Sequence, residues 1–178
     1  MANLICAKTF LNDYDLDRLV PLEEFQGVAG TGFNPLYPVG SIQLEIRGKR
    51  FLDREEILDS VECTWNSLAT WVVNELITNE TSEWWTDPDY GDILFVSTLM
   101  PSGFVEIKRV EDESVPQRVV VQKQEFIRGI LGEAFSFYEE LIRILPPRYR
   151  GEYPQSDARD EQKRIAEILK KLDFDSSE

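Results

Sequence analysis

Histidine is absent from all 178 residues. That excludes Ser-His-Asp and Cys-His catalysis, the H-E-x-x-H zinc site and imidazole as a general base. Cysteine occurs only as Cys6 and Cys63, too few for a disulfide framework or a four-thiolate zinc site. Bases are scarce: 19 Lys+Arg stand against 33 Asp+Glu, a net charge of −14. A surface so acidic repels phosphate backbones and anionic lipid, which argues against nucleic-acid or membrane partners. Long apolar runs are also missing. The longest uncharged stretch, Phe25 to Leu44, is broken by Gly27, Gly30, Gly32, Pro35, Pro38 and Gly40 and suits no membrane helix. Leu4-Ile5-Cys6-Ala7 has Lys8 behind it rather than a base in front, unlike a cleavable signal. A reduced, cytoplasmic protein is the expectation.

What is present is enough to fold. A hydrophobic share of 42% over this length supports one domain, residues 1–178, with its own core. Its expected parts are an irregular N-terminal stretch (1–40), an α+β core (41–147), and a linker with a C-terminal helix (148–178). Residues 4–10 suit a first strand. Ile42, Leu44 and Ile46 alternate with Gln43, Glu45 and Arg47, the pattern of a half-buried strand. A long helix is expected from an Asp53 N-cap with Glu56 three residues on, its apolar face carrying Ile57, Val61, Trp65, Leu68, Val72 and Leu76. Asn79 to Gly91 reads as a loop.

Three strands follow, at Ile93–Thr98, Phe104–Val110 and Arg118–Gln122, too closely spaced for parallel crossovers. A second helix covers roughly Gln124 to Leu145 and stops at Pro146-Pro147. Besides its main stripe it carries a second apolar line, Leu131, Phe135, Tyr138 and Ile142. A short amphipathic helix with Ile165, Ile168, Leu169 and Leu172 is expected to cover that line; the alternative is an intermolecular contact. The fold class is therefore α+β: an antiparallel meander with two main helices packed on it and a short C-terminal helix.

Chemistry-bearing motifs are incomplete. Asp13, Asp15, Asp17 and Glu24 have the spacing of a calcium loop, but Arg18 stands where its sharp turn needs Gly. Gly27, Gly30 and Gly32 lack the third glycine of a dinucleotide loop, since Pro35 takes its place. Cys63 lies in the first helix without a histidine to activate it, and a buried or half-buried packing role is expected. No carboxylate pair is singled out for acid/base work. The expectation is a protein that is not an enzyme and uses no cofactor or metal. Its oligomeric state is not legible.

Charge distribution is the feature that stands out. From Asp53 to Asp92, eleven acids face the single base Arg54, giving −10; from Ile93 to Arg150, eight acids balance eight bases. Two tryptophans sit inside the acidic part. Glu80, Glu83, Trp84, Trp85, Asp87, Asp89 and Asp92 are therefore the candidate partner-binding residues, with acids to steer a basic protein and a ring to anchor it. The competing reading places both rings in the core and leaves the acids as solvation.

The runs GDILFVSTL, GFVEIKRV and QRVVVQKQEFIRGILGEAFSFYEEL, preceded by the Trp-bearing helix, resemble small acidic bacterial immunity-type proteins, which neutralise polymorphic or contact-dependent toxins. The resemblance lies in element order, size and acidity over about residues 41–145. It implies a toxin-neutralising binder whose partner is basic, such as a nuclease-type toxin. Two other classes stay open: a scaffold or adaptor subunit using the second-helix stripe, and a carboxylate-only, metal-dependent hydrolase.

Overall fold

The computed structural model describes residues 4–14, 17–25, 33–55, 59–75, 79–85, 94–110, 117–152 and 154–174. It is an α+β fold with two antiparallel sheets rather than one.

The first sheet grows from the N-terminal stretch expected to be irregular. Strand β1 (Ile5–Asp13) pairs with β2 (Arg18–Pro21) on one side and with β3 (Val39–Ile46) on the other. Its register sets Ile5, Ala7 and Thr9 opposite Ile46, Leu44 and Ile42, so the alternation seen in β3 meets a matching one in β1. Gly40 faces Leu11 in this ladder, and a Cβ there would collide with the Phe10 carbonyl oxygen. Arg47 and Gly48 both take positive φ, 51° and 71°, and turn the chain into β4 (Lys49–Leu52), which returns along β3. The two-residue β5 (Asp59–Ser60) pairs with the other end of β3.

That pairing corrects the first helix. Arg54 and Glu55 form a turn and Asp59–Ser60 is extended against β3, so no helix runs on from Asp53. Instead α1 spans Val61–Thr70, and its cap is Ser60, whose Oγ accepts the Cys63 amide at 3.4 Å. A π-helical turn, Trp71–Glu75, extends it. Val61, Trp65, Leu68 and Val72 are buried, as their spacing requires; Ile57 and Leu76 lie outside the described residues.

The second sheet has the order β6 (Thr81–Trp85), β7 (Leu94–Met100), β8 (Phe104–Val110), β9 (Gln117–Gln122). Strand β6 occupies part of the stretch expected to be a loop. The two sheets meet where Phe51 of β4 packs edge-on against Phe95 of β7, at 5.9 Å, and where Arg109 of β8 donates to the Phe51 carbonyl at 2.6 Å.

Helix α2 (Lys123–Ile144) lies against both sheets. Phe137 stacks on Trp65 of α1 at 5.9 Å, and Phe126 meets Trp71 edge-on at 6.2 Å. Helix α3 (Pro154–Phe174) is not short: it has 21 residues and runs along α2. Its first half is polar apart from Ala158 and so resembles a linker in sequence, but Pro154 opens it and Asp157 suits its positive end. Leu131, Tyr138 and Ile142 of the second apolar line are buried in this arrangement, as is Ile165. Gln155 donates to the Ile142 carbonyl at one end of the pair, and Arg128 to the Leu172 carbonyl at the other.

Candidate functional site

Three of the four indoles are buried, and each finds a hydroxyl. Trp65 Nε1 donates to Thr9 Oγ1 at 2.9 Å, Trp71 Nε1 to Ser82 Oγ at 3.0 Å, and Trp84 Nε1 to Ser67 Oγ at 3.0 Å. These bonds satisfy polar groups that burial would otherwise penalise. Two of them also join α1 and its π-turn to β6. Ser82 Oγ lies 2.6 Å from Ser97 Oγ, which carries the connection into β7, and Ser67 Oγ donates to the Thr64 carbonyl at 3.1 Å. Strand β6 is thereby held against the helix on its inward side.

Its outward side is different. Alternation turns Thr81, Glu83 and Trp85 to solvent while Ser82 and Trp84 point inward. Trp84 is 4% exposed and tilted against both Trp71 and Phe95, whereas Trp85 is 50% exposed. The expected binding segment thus divides: Trp84 is a core ring, Trp85 a surface ring, and Glu80 and Glu83 are exposed acids. Asp87, Asp89 and Asp92 lie outside the described residues.

A groove of 470 Å³ runs between α1 and β6. Cys63, Asn66 and Thr70 line its helix side, and Glu75, Glu83 and Trp85 contribute at the turn and strand. Cys63 is exposed and unbridged, which corrects its expected packing role. The reason is its phase: Cys63, Asn66 and Thr70 are spaced by three and four residues, a polar line turned away from Val61, Trp65 and Leu68. That line was available in the sequence but is visible only once the helix is set beside a strand. The groove combines hydroxyl, amide and carboxylate groups with the indoles of Trp71, Trp84 and Trp85, a surface suited to binding a cationic chain.

The calcium spacing falls on a hairpin. Asp13 is in β1 opposite Arg18, Glu24 is in a 3-10 turn after β2, and Asp15 lies outside the described residues. Among the described residues no three His, Cys, Asp or Glu side chains come together as a metal site, and no helix is long and apolar enough to cross a membrane. Gly27, Gly30 and Gly32 lie outside the described residues.

Among the described residues, two carboxyls away from the groove are perturbed. Burial, then Asp157 and Glu161, push Glu62 above the usual carboxylate range. Burial also raises Glu133, opposed by the Ala7 amide that donates to it. Comparison with protein-family models, with curated proteins and with solved structures finds no match to this chain.

Proposed function

We propose that this chain is a non-enzymatic acidic binding protein, an immunity-type inhibitor that neutralises a basic bacterial toxin in the cytoplasm. The observation that carries the reading is Trp85: a half-exposed indole beside a groove with Glu75 and Glu83, on a chain of net charge −14. Large rings left on a surface are disproportionately the anchors of protein interfaces, and surrounding charge of one sign speeds encounter with the opposite sign. The groove lies on a helix and a strand joined by indole–hydroxyl bonds, so little ordering accompanies binding.

The scaffold reading drew on the second stripe of α2. Helix α3 packs over that stripe, so this reading has lost the surface that suggested it. The inhibitor reading is tested by growth. Where a basic toxin domain is encoded beside its gene, co-expression of the chain with that domain should rescue the host, and Trp85→Ala should abolish rescue while the protein stays folded. Rescue undiminished by Trp85→Ala and by neutralisation of Glu75 and Glu83 contradicts this site. Failure of the intact chain to rescue contradicts the function.

A further inference from the structure

The open edge of β6 offers more than its side chains. The Leu99 amide donates to the Glu80 carbonyl at 2.7 Å, and the register continues as Thr81 opposite Thr98 and Glu83 opposite Val96. In an antiparallel ladder the paired backbone groups alternate. Ser82 and Trp84 therefore direct their amides and carbonyls to β7, and Thr81, Glu83 and Trp85 direct theirs away from the sheet. Among the described residues no strand pairs with β6 on that side.

Other edges are blunted in the usual ways. Strand β2 ends on Pro21, β4 carries exposed Lys49 and Arg50, and Lys49 Nζ donates to the Arg118 carbonyl of β9 at 3.1 Å. Strand β6, Thr-Ser-Glu-Trp-Trp, has neither proline nor lysine. Building on the inhibitor reading above, the geometry points to how the partner docks: an extended basic segment adds to β6 as a fifth strand of the second sheet. Backbone bonds to Thr81, Glu83 and Trp85 set the register. A lysine or arginine of the incoming strand lies across from Glu83, and an apolar residue two positions away, on the same face, packs on the Trp85 ring. A second copy of this chain fits poorly, because antiparallel pairing of β6 with itself about its centre sets Glu83 against Glu83.

The test uses a short synthetic peptide in which every second residue is threonine and the positions between alternate lysine and valine, and the same peptide N-methylated at alternate amides to remove its donors. Amide exchange and chemical shifts are read by NMR on the full chain. The unmethylated peptide should slow exchange of the Glu83 and Trp85 amides by about tenfold or more, a protection that hydrogen bonding confers. The methylated peptide should not. Thr81→Pro should abolish the effect while preserving the spectrum of β7, because the lost amide faces away from the sheet. Equal binding of both peptides overturns strand addition but leaves an acidic groove that binds basic chains. No response of the β6 amides at saturating peptide overturns it as well, and the rescue experiment then judges the inhibitor reading separately. Concentration-dependent self-association that protects the same amides overturns the basic occupant in favour of a second copy.

Discussion

Trp84 and Trp85 are neighbours in β6, yet one is buried and donates its indole N–H to Ser67 of α1 while the other stands half exposed at the rim of the groove. Adjacent residues of a strand face opposite ways, so the pair separates structure from recognition within one dipeptide.

Trp84→Ala should therefore lower stability by about 3–5 kcal/mol, the range for emptying a large aromatic site. Trp85→Ala should stay within about 0.5 kcal/mol of the parent, as for surface positions. Chemical denaturation of the two variants checks this directly. Equal losses would place both rings in the core.

Trp65 tests the α1–α2 contact. Trp65→Ala should cost about 3–5 kcal/mol through the lost stack on Phe137 and the orphaned Thr9 hydroxyl. Trp65→Phe should cost less, because it keeps a ring against Phe137. A loss below about 1 kcal/mol for the alanine variant would contradict the helical phase.

That phase was legible in the sequence, because Val61, Trp65, Leu68 and Val72 fall on one face whatever the helix ends are. The ends were not legible. Asp53 with Glu56 is as good a capping pair as Ser60 with its bond to Cys63, and the choice depends on β5 pairing with β3. Strand β6 was hidden for a related reason. Its inward residues are Ser82 and Trp84, and only the hydroxyl–indole bonds make such a mixture a core face. The acids and rings of the candidate site were visible, but which ring is exposed depends on the parity of a strand that local composition does not mark. Cys63, Asn66 and Thr70 became groove residues only through that strand's position.

Gly40→Ala should destabilise by about 1–3 kcal/mol, because the new methyl meets the Phe10 carbonyl, a backbone atom with little freedom to move. Thermal unfolding measures it. A neutral effect would mean that β1 and β3 are further apart than described.

Glu62 gives a pH dependence. Its folded pKa is raised, so its contribution is fully present below the unfolded carboxylate value and is lost as pH rises through the folded one. Charged Glu62 thus weakens the fold at neutral pH. Glu62→Gln should raise Tm by about 1–2 °C near pH 7, consistent with a change of about 0.5 kcal/mol in a half-buried position. The gain should vanish below about pH 3, where both states hold the proton. A gain that grows on acidification would contradict the sign.

Binding kinetics against a basic toxin domain that the chain neutralises in the rescue assay test the central claim most directly. Replacing Glu75, Glu80 and Glu83 by Gln should slow association and flatten its salt dependence, since exposed charges act through a field screened over roughly 8 Å at physiological salt. Trp85→Ala should leave association nearly unchanged and speed dissociation by about thirtyfold, equivalent to about 2 kcal/mol. The contradicting result is a folded Trp85→Ala protein and a folded triple-amide protein that both bind with the parent's rates.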